Sequence, residues 1–385
     1  MTYATGRIYY DADSHIMELP EFLAEYAAPT DKASMPKIKV PRVGALANLV
    51  DEAERSGKHS DQHVAELTAL GDRMIGGPKG YMALGAFNSS ERTKALDMLG
   101  FAKQLVFATF SEGIAFAEQR SLAERYQAAA AHNRAMANFC ANDARLMGVA
   151  LLPLDDPQAS ITELERALKL GLKAIWIPHR HCNGRSPGHN DFDAIWARIA
   201  EARVPFVLHV GGVPLQLDPA WMNTGRAVPT DWLGTGENVR SKDMTSLHHL
   251  AETFIGTMVL DGVFDRHRNL RGGVIELGAG YVPSLCKRLD WIAEIWRRSE
   301  PEIAALTRKP SEQLIEHVAF TPYVYDDVGD LVRQSDSRLY LFSSDYPHAE
   351  GGRQPLERFT KSLEGCDERA KNNFYADNFA RVFSM

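Results

Sequence analysis

Met147-Gly148-Val149-Ala150-Leu151-Leu152, Ala174-Ile175-Trp176-Ile177 and Pro205-Phe206-Val207-Leu208-His209-Val210 are three short, nearly all-apolar runs, and what separates them decides the fold. Between the first two lies Ala159–Leu170, where Ile161, Leu164, Ala167 and Leu168 follow one another by three, three and one, the spacing of a single helix face. Glu163, Arg166 and Lys169 fall outside that stripe and are expected to face water. Phe192–Ala202 reads as a helix between the second run and the third. Continuous apolar strands separated by amphipathic helices are the pattern of parallel strands buried on both faces.

Working outward, the same alternation extends both ways. Further strands are expected at Ile8-Tyr9-Tyr10, Gln104–Ala108, Gly273–Leu277, His317–Thr321 and Leu339–Phe342. Helices are expected at Glu91–Leu99, Leu122–Asn142, His248–Phe264, Val282–Arg298, Val328–Gln334 and Ala370–Phe383. Eight strands in this order predict an α/β fold, a (β/α)8 TIM barrel spanning 1–385 as one domain. No Gly-rich phosphate fingerprint follows an early strand, which counts against a doubly wound sheet. Two irregular stretches interrupt the pattern. Residues 28–88, with Pro29, Pro36, Pro41 and Pro78, form a long insertion after the first strand, read as a lid or contact segment with helices at Gly44–Ser56 and His63–Met74. Residues 211–244 carry Trp221 and Trp232, which either wall an aromatic pocket or anchor the loop.

Composition narrows the function. The 385 residues are 45% hydrophobic and 24% charged, ample for a large core. A net charge of -7 and the lack of a Lys/Arg block argue against nucleic acid as partner. Cys140, Cys182, Cys286 and Cys366 are scattered and suggest neither a disulfide framework nor a zinc ribbon. No apolar stretch approaches the roughly 20 residues of a membrane span, and the start lacks a signal-peptide pattern. A cytoplasmic enzyme acting on a small molecule, with no membrane or nucleic-acid partner, is expected.

Chemistry-bearing residues cluster just past the strands. Asp13 and His15 follow the first, His209 ends the fifth, and Asp345 follows the eighth. Barrel enzymes do their chemistry at that end. Asp13 and His15 are two apart, so an extended chain turns both to one side. Two imidazoles and two carboxylates suit one divalent ion, zinc first, with manganese or iron also admitted. His179 and Arg180 follow the fourth strand and His348 lies three beyond Asp345; all three are candidates for substrate contact, an arginine being able to clamp a carboxylate. His181, Arg185, Arg226 and Arg240 read more simply as loop residues. Glu18 reads as a helix-start residue, and so do His248 and His249.

Tyr10-Asp11-Ala12-Asp13-Ser14-His15, Val207-Leu208-His209, Ile275-Glu276-Leu277-Gly278-Ala279-Gly280-Tyr281-Val282-Pro283 and Ser344-Asp345-Tyr346-Pro347-His348 resemble the amidohydrolase superfamily, in particular the branch with aminocarboxymuconate semialdehyde decarboxylase and aromatic-acid decarboxylases. The resemblance implies Asp13, His15, His209 and Asp345 as metal ligands, and it leaves room for a homodimer. Two departures stand out: Asp13 occupies a place often held by His or Glu, and Glu276 the sixth-strand place where the decarboxylases carry histidine. A carboxylate there can orient water or accept a proton. The expected reaction is therefore metal-dependent hydrolysis of a small organic substrate, with Asp345 and Glu276 as catalytic groups; the alternative is non-oxidative decarboxylation of an aromatic or enol acid.

Overall fold

The computed structural model describes residues 2–40, 42, 45–215, 217–227, 236 and 239–385. Seven strands lie in chain order in one parallel sheet: β1 (Tyr10–Asp11), β2 (Lys103–Val106), β3 (Leu146–Leu151), β4 (Ala174–Trp176), β5 (Phe206–His209), β6 (Gly272–Ile275) and β7 (Val318–Phe320). Every residue of β3 to β7 is buried, as their unbroken apolar runs require. In the β5–β6 register Phe206 faces Gly272, where an added Cβ would come within 2.3 Å of the Phe206 ring, so only glycine fits.

The eighth place in the ring differs from expectation. Residues 337–339 form a 3-10 turn, and the chain beyond is extended without forming a regular strand. It still bridges the two ends of the sheet: Leu341 N–H donates to Phe320 O (2.9 Å), and Ala12 N–H donates to Phe342 O (3.0 Å). Regular pairing fails because its donors are diverted. Phe342 N–H goes to Phe374 O at 2.9 Å, and Ser344 gives its N–H and hydroxyl to the buried Asp11 carboxylate at 2.7 and 2.6 Å. Gln104 donates to the same carboxylate at 2.8 Å, so one side chain ties β1, β2 and the closing segment together.

Local signals explain the helices. Leu122–Cys140 opens with a capping box between Ser121 and Glu124. Pro157–Lys169 is capped by Asp156 with Pro157 in its first turn. On that helix Leu164 and Ala167 are buried as expected, but so is Glu163, contrary to expectation. Asn133 Nδ2–H donates to Glu163 at 2.7 Å while the same amide brackets the Leu151 backbone, and Arg166 pairs with the carboxylate. Hydrogen bonding to a strand-anchored amide stabilises the charge that periodicity assigned to solvent.

The 28–88 insertion contains helices Ala45–Ser56 and Asp61–Thr68 and then short turns. It docks on the residues that follow the first and closing strands. Gly80 N–H donates to Pro347 O (2.8 Å), Tyr346 Oη–H to Leu84 O (2.7 Å), Met17 N–H to Ala86 O (2.8 Å) and Tyr81 Oη–H to Glu18 O (2.6 Å). Trp221 is 70% exposed, while Trp232 lies outside the described residues. Among the described residues no helix is long and apolar enough to cross a membrane.

Candidate metal centre and active-site cavity

Asp13, His15, His209 and Glu276 each offer a ligand atom within 4.8 Å of one another, and His15, Glu276, Asp345 and His348 form a second, overlapping set. The separations are short: His15 Nε2 lies 3.3 Å from Asp13 Oδ1 and 3.5 Å from Asp345 Oδ1. His209 Nε2 lies 3.2 Å from Asp13 Oδ1 and 3.4 Å from Glu276 Oε2. Side chains from the two ends and the middle of the chain thus share one buried pocket.

Backbone geometry aims them. His15 Nδ1 lies 2.7 Å from Ala108 O and His209 Nδ1 lies 2.7 Å from Val210 O. A carbonyl only accepts, so each Nδ1 carries the proton and each Nε2 lone pair is turned into the cluster. Phe107 and Trp176 seat the His209 ring, with centroids 4.4 and 4.8 Å away. Glu276 and Asp345 have φ of +55° and +54°. Such non-glycine conformations cost roughly 1 kcal/mol or more and persist where surroundings hold them. Here Glu276 N–H donates to Thr321 Oγ1 (2.7 Å), and Asp345 N–H donates to Asp13 O (2.9 Å).

The residues fit a divalent cation. Asp13 Oδ2, His15 Nε2 and both Asp345 oxygens are buried with no hydrogen bond, an expensive arrangement that an ion would satisfy. Electrostatics agree for the metal-free protein. Burial raises Asp345 well above the usual carboxylate range, and Asp13 and Glu350 push the same way. Burial also raises Asp13, but His209 and His15 outweigh it and hold that carboxyl below its ordinary value. Burial, then His348, lowers His15 to about 3, so its imidazole stays neutral, as a ligand must.

A cavity of about 340 Å³ adjoins the cluster at the strands' C-terminal ends, with Asp13, Glu276 and Asp345 in its wall. His348 stacks on His15 at 3.8 Å and sits 3.2 Å from Asp345 Oδ1. His179 is buried, and burial lowers it to about 3; its ring packs beside Gly212 rather than in the cavity wall. Arg180 is taken up by Asp155 (3.1 Å) and Glu118 (3.4 Å) and does not line the cavity. His248 stacks on Tyr281 and lies 3.7 Å from Glu252, away from the ligand set. Glu18 is no helix-start residue: its buried carboxylate accepts from the Thr109, Phe110 and Ser111 N–H groups at 3.0, 3.2 and 3.0 Å.

Sequence reading passed over Thr109, whose hydroxyl lies 3.0 Å from His348 Nε2. The strand-end rule that selected His209 would have selected it too, since it directly follows Gln104–Ala108. It also passed over Lys79, a buried amine beside Asp345 and Glu350, lowered by burial to about 8. No local pattern in the insertion marks that residue.

A sequence model of the family described as Amidohydrolase matches residues 88–385. Among curated proteins, Decarboxylase orsB of Emericella nidulans is 27% identical over 57% of this chain and 63% of its own length. Gamma-resorcylate decarboxylase of Rhodococcus jostii is 28% identical over 56% of this chain and 64% of its own. The match thus spans just under two thirds of each curated relative. Among solved structures, an amidohydrolase from Mycobacterium avium subsp. paratuberculosis superposes with a TM-score of 0.73 at 22% identity, covering 99% of both chains. 5-Carboxyvanillate decarboxylase from Novosphingobium aromaticivorans, solved with manganese and a nitrobenzoic acid, gives 0.64 at 18% identity, covering 100% of this chain and 99% of its own.

Proposed function

The chain belongs to the amidohydrolase family and is a metal enzyme of that superfamily, and we propose that it removes CO2 from a hydroxylated aromatic acid. This reverses the order expected from sequence, where hydrolysis led. Two curated relatives bear decarboxylase names, and the site supplies the proton donor that such a reaction needs.

The carrying observation is Asp345: a buried carboxyl, its pKa raised by burial, facing the cavity beside His348. Asp13, His15, His209 and Asp345 would hold the cation, with Glu276 in reach. This oxygen-rich set favours manganese over zinc, in line with the metal named for the vanillate enzyme. Bound there, the cation supplies positive charge for a substrate's carboxylate and phenolate oxygens. Asp345 gives its proton to the ring carbon that bears the carboxylate. The bond to the carboxylate then breaks, its electron pair returns to the ring, CO2 leaves, and Asp345 remains as carboxylate until water reprotonates it. The apolar wall around Val210 keeps water from the ring during that step.

One observation favours hydrolysis as a second reading: Glu276, 3.4 Å from His209, places a carboxylate where it could take a proton from water. Carboxyl-labelled hydroxybenzoates and their methyl esters, incubated in heavy-oxygen water, separate the two. Labelled CO2 with an unlabelled aromatic product supports decarboxylation; heavy oxygen in the product without CO2 refutes it.

A further inference from the structure

We propose that Glu276 is itself a ligand of the cation, a fifth protein donor beside Asp13, His15, His209 and Asp345. This rests on reading the cluster as a cation site, and it takes from hydrolysis the base on which that second reading relies.

Donor atoms about 2.1 Å from one ion stand about 3.0 Å apart at right angles and about 3.4 Å apart at tetrahedral angles. Three contacts in the cluster are close to that length and run on from one another. His15 Nε2 lies 3.3 Å from Asp13 Oδ1, Asp13 Oδ1 lies 3.2 Å from His209 Nε2, and His209 Nε2 lies 3.4 Å from Glu276 Oε2. Donor atoms of these four residues all fall within 4.8 Å of one another. Glu276 also belongs to the overlapping set with His15, Asp345 and His348, whereas Asp345 belongs to that second set alone. Glu276 and His15 are thus the two residues common to both sets, and Glu276 is the carboxylate that completes the first.

The backbone delivers that oxygen. Glu276 directly follows β6, takes a φ of +55° and gives its N–H to Thr321 Oγ1 at 2.7 Å. Held in this way, a left-handed residue fixes where its side chain starts, and such strain gathers at functional sites. A base working through a water on the ion stands a further hydrogen bond out, about 2.8 Å. Glu276 Oε2 instead stands at ligand spacing from His209. Three carboxylates with two imidazoles also suit a six-coordinate cation such as manganese better than tetrahedral zinc.

The test measures manganese affinity by competition with a chelating dye, and the visible spectrum after loading with cobalt(II), whose absorption follows coordination number and geometry. Parent, Glu276→Gln and Glu276→Asp are compared, with circular dichroism to verify folding. Glu276→Gln is expected to bind manganese at least tenfold more weakly than the parent and to change the cobalt spectrum. Glu276→Asp keeps the charge but withdraws the oxygen by one methylene; it is expected to change the cobalt spectrum as well, and it decides should the first variant not fold. A loss of less than tenfold in Glu276→Gln overturns the proposal. So do cobalt spectra in both variants that superimpose on the parent's, because Glu276 would then act only as a nearby charge. A parent that binds neither metal refutes the cation-site reading itself, and the proposal with it.

Discussion

Asp345 Oδ1 and His348 Nδ1 face each other at 3.2 Å. Thr109 donates its only hydroxyl proton to Ile16 O at 2.8 Å, so at 3.0 Å it accepts from His348 Nε2–H. His348 Nδ1 is therefore the ring nitrogen that faces Asp345. Burial raises the Asp345 carboxyl well above the usual carboxylate range, which suits it to donate a proton. Replacing Asp345 by Asn removes the acid, and kcat is expected to fall by about 10²–10⁴. His348→Gln should lower kcat less, because the acid remains but its partner is lost. Steady-state CO2 release measures both; an Asp345→Asn variant as active as the parent would remove the proton donor from the account.

Metal binding should also stabilise the fold, because the donor atoms converge only in the native state. Chelation is expected to abolish turnover and lower the thermal midpoint by several degrees, and excess manganese should restore both. A midpoint indifferent to chelator and metal would count against a cation held by buried groups.

His132 gives a pH-dependent stability independent of the metal. It is fully buried beside Ser111 Oγ (2.8 Å), and burial lowers it from 6.5 to about 4. Between those values the unfolded chain binds more protons than the native one, so stability falls as pH drops from 6.5 towards 4. The loss attributable to this group is about 3 kcal/mol. Urea titrations of parent and His132→Gln across that window should show a flatter dependence in the variant; parallel curves would dismiss the assignment.

Glu18→Ala leaves the buried N–H groups of Thr109 and Ser111 and the half-buried one of Phe110 without their acceptor. A loss of roughly 2–4 kcal/mol is expected. Turnover per folded molecule should fall as well, since Thr109 orients His348. Chemical denaturation with parallel kinetics checks this, and a variant unaltered in both would show that the loop is held otherwise.

The fold and the convergence of Asp13, His15, His209 and Asp345 were largely legible because both rest on short-range rules. Continuous apolar runs such as Phe206-Val207-Leu208 announce strands buried on both faces, and a polar residue directly after one announces the barrel mouth. The closing segment was less legible, since Asp11 and Phe374, both distant in sequence, divert its backbone donors. Glu163 was misread because periodicity counts faces and does not register that Asn133 stands ready to bond it. Arg180 was singled out by its position after β4, but the Asp155 that holds it follows β3, beyond any local pattern. The reaction type lay deeper still, because the raised carboxyl of Asp345 comes from burial and from Asp13 and Glu350 around it.

The most direct measurement is elemental analysis of the parent and the His15→Ala/His209→Ala double variant after equilibration with manganese and removal of free ion, with circular dichroism to verify folding. The account predicts about one divalent ion per parent chain and less than about a tenth of that in a folded double variant. A parent that retains no ion, or a double variant that retains a full equivalent, would contradict it.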